Sequence, residues 1–116
     1  KREDGEITGF GRSDQLLKNF APTLAKLEPD VMCIMHSSPE VTGAALDILR
    51  RSWNGPLAAY PECGYFKSPD WVFTDITPAA LTEFAKSWHA QGAIALGGCC
   101  GIGPSHIQAL QKEFAA

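Results

Sequence analysis

The sequence lacks any apolar run approaching the roughly 18 to 20 residues that a membrane-spanning helix needs. It also lacks a basic stripe. Its 10 Lys and Arg are scattered among 13 Asp and Glu, for a formal net charge of -3, which gives no electrostatic reason to expect nucleic acid or an anionic membrane as a partner. Cysteines are few. Cys33, Cys63, Cys99 and Cys100 do not make the dense framework of a small secreted domain, and a bond between the neighbours Cys99 and Cys100 would close a strained small ring. The thiols therefore read as reduced and the compartment as cytoplasmic. No Cys-x-x-Cys pair of the thioredoxin type is present, no P-loop Lys, and no dinucleotide-binding glycine fingerprint. There is no initiator Met, and Lys1-Arg2-Glu3-Asp4-Gly5-Glu6 is charged rather than leader-like. We expect a start that is processed, trimmed or truncated.

What is present is ordinary globular material. At 116 residues, with 45% hydrophobic and 20% charged residues, the chain is enough for one domain and no more. Residues 1–12 are polar and glycine-rich and read as a loop or arm. Ser13 is placed to cap a helix running to about Lys26, with Leu16, Leu17, Phe20, Leu24 and Leu27 at helical spacing and Pro22 set to kink or split it. Val31-Met32-Cys33-Ile34-Met35 is a continuous apolar run and reads as a strand buried on both faces. A helix follows from Pro39 to about Trp53, stopped by Asn54-Gly55-Pro56. Leu57-Ala58-Ala59-Tyr60 reads as a second strand and residues 61–76 as a long irregular connection, with Trp71 and Phe73 as lid candidates. Thr77-Pro78 starts a helix to about Ala90. Ala93 to Leu96 is a third strand, and Pro104-Ser105 opens a last helix. Strand–helix alternation predicts an α/β fold with a parallel sheet and right-handed crossovers.

The chemistry-bearing segment is Gly97-Gly98-Cys99-Cys100-Gly101-Ile102-Gly103-Pro104. Neighbouring side chains of a regular strand point to opposite faces, so both sulfurs reach one point only where the strand ends and the backbone turns. Glycine permits that turn. Two thiolates converging at a strand end suit a soft metal such as zinc. The same glycine turn feeding a helix could instead hold phosphate on backbone amides, but it lacks the residues that usually accompany such a site. Cys33 reads as a buried apolar residue, Cys63 as a loop residue, and His89 and His106 as surface or helix-end residues. Asp47, Arg50 and Arg51 read as a solvated helix face.

Pro29-Asp30 through His36-Ser37-Ser38-Pro39-Glu40, the Tyr60-Pro61 turn and Gly97-Gly98-Cys99-Cys100-Gly101 together resemble the C-terminal part of the homocysteine S-methyltransferase family. The resemblance covers about Gly5 to Phe114. It implies a partial (β/α)8 TIM barrel, comprising the last three strand–helix units, since a whole barrel takes roughly 250 residues. Residues 1–116 would then be a single domain or fragment. Family members bind zinc through three cysteines, one closing the sixth barrel strand in a Gly-x-Asn-Cys pattern and two adjacent at the end of the eighth.

The adjacent pair corresponds to Cys99 and Cys100. Ungapped alignment places the first ligand at His36, with Met35 at the usual Asn and Cys33 where Gly is common. Strand parity agrees, because Cys33 and His36 lie three residues apart and face opposite ways. The resemblance thus implies a Zn2+ site of His36, Cys99 and Cys100. Bare strand-end position would make His36 only a polar cap. The implied reaction moves a methyl group to the thiol of homocysteine or a related thiol, with Tyr60, Gly97 and Gly98 beside the substrate. Tyr60 serves either as a contact or as a wall. The implied partners are that thiol and a methyl donor, with no nucleic acid and no membrane. Three parallel strands leave two open edges, so a homo-oligomer or association with a missing N-terminal region is expected. The alternative is a catalytically silent α/β fragment or metal-binding module, stable only by assembly.

Overall fold

Short apolar segments alternate with amphipathic ones along the chain, and each becomes a strand or a helix in turn. The computed structural model describes residues 1–115. In chain order they form β1 (Thr8–Gly9), β2 (Arg12–Leu16), α1 (Leu17–Ala25), β3 (Met32–Met35), α2 (Pro39–Arg50), β4 (Leu57–Tyr60), β5 (Gly64–Lys67), β6 (Asp70–Phe73), α3 (Pro78–Ala90), β7 (Ala93–Leu96) and α4 (Pro104–Phe114). β3, β4 and β7 make a three-stranded parallel sheet in the order β3-β4-β7. Met32 pairs with Leu57 and Met35 with Tyr60 across β3 and β4. Leu57 pairs with Ala93 and Ala59 with Leu96 across β4 and β7, with a slip after Leu57. All three strands therefore end on one edge.

The helices begin where the sequence chemistry predicts. Thr77 Oγ1 accepts from the Ala80 amide at 3.1 Å, with Pro78 in the first helical turn. Glu40 lies in the first turn of α2 and Arg50 in its last, as the helix dipole favours. Arg50 is more than a solvated residue. Its Nη1 donates to the carbonyls of Trp53 and Gly55 at 3.1 and 3.0 Å, holding the turn that leads into β4. The core lies between this helix layer and one face of the sheet. Leu46 and Leu49 of α2 and Leu81, Ala85 and Trp88 of α3 are buried with Met32, Ile34, Leu57, Ala59 and Ala93.

The structure departs from the sequence reading in four places. The stretch read as an arm pairs as the antiparallel hairpin β1–β2, so Ser13 lies in β2 and caps nothing. The helix starts at Leu17 and runs through Pro22 to Ala25. Residues 61–76 carry a second antiparallel hairpin, β5–β6, with Trp71 and Phe73 exposed on it. The run Val31–Met35 is one-sided rather than buried on both faces: Met32 and Ile34 are buried, while Cys33 and Met35 are exposed. The helices cover one face of the sheet, and the other carries exposed Met35, Tyr60 and Ile94. A uniformly apolar strand gives no periodicity from which to tell its two faces apart.

Backbone hydrogen bonds lace the three strand ends together. The Glu62 amide donates to the Ser37 carbonyl at 2.9 Å, and the Cys99 amide to the Pro61 carbonyl at 2.8 Å. The Cys63 amide donates to the Cys100 carbonyl at 2.8 Å. Gly101 makes this approach possible. Its φ is +80°, and a Cβ there would stand 2.2 Å from the Cys63 carbonyl oxygen. Gly101→Ala should therefore cost at least about 2 kcal/mol, from the left-handed penalty and the displaced carbonyl together. Gly103→Ala, at a position with open space and negative φ, should cost less than about 1 kcal/mol. Urea unfolding of both variants checks this, and equal losses would show that the close approach is not what Gly101 provides.

Candidate metal centre

Three loops leave the same sheet edge and carry the polar side chains of the site. After β3 the backbone turns at His36, whose φ is +52°, a left-handed conformation uncommon for a residue with a side chain. Such a conformation persists where the surroundings impose it, and it clusters at functional sites. Ser37 Oγ donates back to the Met35 carbonyl at 3.2 Å across this turn. The tip of the N-terminal hairpin reaches the same place, with the Phe10 ring 5.3 Å from the His36 ring.

His36 Nδ1 lies 3.2 Å from a carboxylate oxygen of Glu62, a residue of the loop after β4. The Glu62 side chain is only 12% exposed. Cys99, from the turn after β7, completes a cluster in which the donor atoms of His36, Glu62 and Cys99 all lie within 4.8 Å of one another. Cys100 Sγ lies 3.8 Å from Cys99 Sγ. Two sulfurs each bound at about 2.3 Å to a tetrahedral zinc stand about 3.8 Å apart, so the pair already has the spacing that such an ion imposes. Imidazole, thiolate and carboxylate are all zinc donors. The residues present fit the metal.

Around the site, the surroundings of two thiols, Cys100 and Cys63, favour the protonated form. The Cys100 thiol is held above its ordinary range, first by the sulfur–sulfur hydrogen bond with Cys99, then by desolvation and the charges of Cys99 and Glu62. The Cys63 thiol is pushed up mainly by burial, with Glu40 and Glu62 adding to it. A divalent cation would reverse this balance.

The structure brings together His36 and Cys99 of the expected ligands, with Cys100 next to Cys99. It adds Glu62, which sequence reasoning missed. The available signal was an acidic side chain directly after Tyr60-Pro61, at the edge where strands of parallel sheets present ligand-binding residues. Cys33 stands apart from the cluster. It is exposed rather than buried, and it borders a cavity of about 460 Å3 between the N-terminal hairpin and β3. Desolvation on that wall raises its thiol above the ordinary range.

Tyr60 lies over Gly97, where a Cβ would come within 2.7 Å of the ring. A Cβ at Gly98 would meet Ile102 at 2.3 Å. These glycines let the turn fold on itself under an aromatic ring. His106 is a tether. Its Nδ1 accepts from the Gly103 amide at 3.1 Å and its Nε2 donates to the Ile76 carbonyl at 2.6 Å. It thus ties the far end of the glycine turn to the segment leading into α3.

Among the described residues no helix is long and apolar enough to cross a membrane. The family model for homocysteine S-methyltransferase matches residues 3–114. Betaine--homocysteine S-methyltransferase 1 of Danio rerio is 34% identical over 70 residues. That match takes in 53% of this chain and 17% of the relative, so the chain spans a small part of the relative's length. With the family match running over nearly every residue, and the paired cysteines lying where the sheet ends, this chain belongs to the homocysteine S-methyltransferase family.

Proposed function

We propose that the chain carries the zinc-binding part of a methyltransferase that moves a methyl group to the thiol of homocysteine or a related thiol. The observation that carries this reading is the meeting of His36 and Cys99 at the sheet edge, with the Cys100 sulfur 3.8 Å from that of Cys99, in a chain of this family. We further propose that residues 1–116 are the last three strand–helix units of a (β/α)8 barrel, whose active sites lie at the C-terminal ends of the strands. The one-sided sheet supports this. Its exposed face, with Met35, Tyr60 and Ile94, is the wall that the remaining strands would cover.

In this reading His36, Cys99 and Cys100 hold Zn2+. The metal, when bound, keeps a coordinated thiol ionised at neutral pH, the form that attacks a methyl donor. The protein's own residues do the rest. The lacing of the loops fixes the donor atoms, so little ordering remains to be done when a substrate arrives. Gly97 and Gly98 leave room beside the sulfurs, and Tyr60 walls that space. A neutral imidazole in place of a third thiolate lowers the negative charge of the set by one, which weakens electron donation toward a bound sulfur. The partners are the thiol and a methyl donor, with neither nucleic acid nor membrane among them. The reduced thiols suit a cytoplasmic protein.

A second reading is favoured by the open sheet. Its two free edges and its exposed apolar face suit a chain stable only as a homo-oligomer or with a missing N-terminal part, and silent as an enzyme when isolated. Methyl transfer to homocysteine by the isolated chain separates the two readings, since the silent fragment binds metal without turnover.

Purified protein should contain about one zinc per chain at neutral pH. His36→Ala should lower that content at least about tenfold in affinity, and Cys33→Ala should leave it within about twofold. The reverse order would move the third ligand to Cys33. Zinc affinity should also fall as pH drops from 8 to 6, by up to about two log units per pH unit, the slope for two displaced thiol protons. The sign follows from the raised Cys100 thiol, which is protonated before metal arrives. A competition titration with a chelator at several pH values measures it, and a flat profile would exclude the thiols as ligands.

A further inference from the structure

We propose that His106 is a positioning residue: it couples the β5–β6 hairpin to the turn that carries Cys99 and Cys100, and so sets where the two sulfurs stand. Its part in methyl transfer rests on the zinc reading above, whereas its hold on the turn does not. The argument starts from the ring. His106 Nδ1 accepts from the Gly103 amide at 3.1 Å. A ring nitrogen that accepts carries no proton, so the neutral ring carries its proton on Nε2. Nε2 therefore donates, and its acceptor is the Ile76 carbonyl at 2.6 Å. One half-buried side chain thus joins two backbone segments that are distant in sequence.

These two bonds close a ring of contacts. The Cys63 amide donates to the Cys100 carbonyl at 2.8 Å, and the Cys63 carbonyl accepts from the Thr74 amide at 3.2 Å. Cys63 and Thr74 flank the hairpin at its base, just outside the pair Gly64 and Phe73. Ile76 follows Thr74 closely, and from its carbonyl His106 leads back to Gly103. The turn from Cys99 to Gly103 is therefore tied at both ends to the base of the hairpin, at Cys100 through Cys63 and at Gly103 through His106.

Packing does not fix the Gly103 end. A Cβ at Gly103 would meet nothing within 4 Å, and Gly101 sits at φ +80°. A chain with glycine at both positions has many conformations to lose, so it needs a restraint. Capping α4 would not by itself call for histidine. A capping box needs only an acceptor at this third helical position, where Glu and Gln are usual. What the imidazole adds is the donor on Nε2.

The test separates the two bonds. His106→Glu keeps an acceptor for the Gly103 amide but cannot donate to Ile76. His106→Gln offers both an acceptor and a donor. The metal-free full chain is reacted with phenylarsine oxide, which bridges two neighbouring thiols with loss of water and holds a single thiol weakly. Its release under a monothiol chase reads how well the sulfurs are paired. For His106→Glu we expect release about tenfold faster and zinc affinity lower by about as much, the size of effect of a lost outer-shell bond. His106→Gln should stay close to the wild type in both. His106→Asn, which can accept at Gly103 but is too short to reach Ile76, should follow the Glu variant and serves if that one fails to fold by circular dichroism. Wild-type release and zinc affinity in a folded Glu or Asn variant would overturn the proposal, as would a Gln variant no better than Glu, or a wild type that releases the arsenical as fast as a single thiol does. A wild type that holds the arsenical but no zinc, with the variants in the expected order, would overturn the zinc reading and uphold the coupling.

Discussion

Three backbone hydrogen bonds hold this site together: Glu62 to Ser37, Cys99 to Pro61, and Cys63 to Cys100. They continue the parallel sheet beyond its last paired residues, across loops that would otherwise be free to diverge. A sheet four residues long in each strand fixes direction. It does not by itself fix where side chains two or three residues past the end will lie. The lacing does. It draws the loop after β4 between the loops after β3 and β7, and places the donor atoms of His36, Glu62 and Cys99 within 4.8 Å of one another, with the Cys100 sulfur beside that of Cys99. No single element owns the site, and each loop contributes side chains that mean little alone.

The local chemistry of the loops follows from that constraint. A peptide carbonyl can approach Gly101 only because no side chain is there, and the positive φ at that residue turns the chain so that it does. His36 takes a positive φ without glycine's freedom, and the turn aims its ring at Glu62. On the far side, His106 uses both ring nitrogens to anchor the turn to the body of the protein. A cation bound there would offset the cost of holding the Glu62 carboxylate, 12% exposed, largely away from water. Metal binding and the order of the loops would then be one equilibrium.

Much of this architecture could be read from the residues. β4, β7 and α3 fall where their apolar runs and helix starts place them, and the paired cysteines were legible as a site because two thiols among glycines serve a core poorly. What escaped was whatever depends on partners distant in sequence. β1 and β2 are built of polar residues such as Arg12, Ser13 and Asp14 and carry no periodic signal. β5 and β6 hid in a segment rich in Pro and Gly. The two faces of β3 cannot be separated in the sequence because all its residues are apolar, so the pattern places Cys33 in the core, whereas the structure exposes it. Glu62 became meaningful only once β3 and β7 were known to flank β4, a fact of topology that spacing does not carry.

The open face of the sheet and the laced edge point to different roles within the same unit. The face is apolar and open, and the edge gathers groups that could hold one ion. The central claim is that sulfur and nitrogen donors from the ends of β3 and β7 meet on a single metal. X-ray absorption at the zinc edge of the purified chain tests it most directly. The account predicts a first shell containing two sulfurs at about 2.3 Å and an imidazole nitrogen at about 2.0–2.1 Å. A shell without sulfur, or one of sulfur alone, would contradict it.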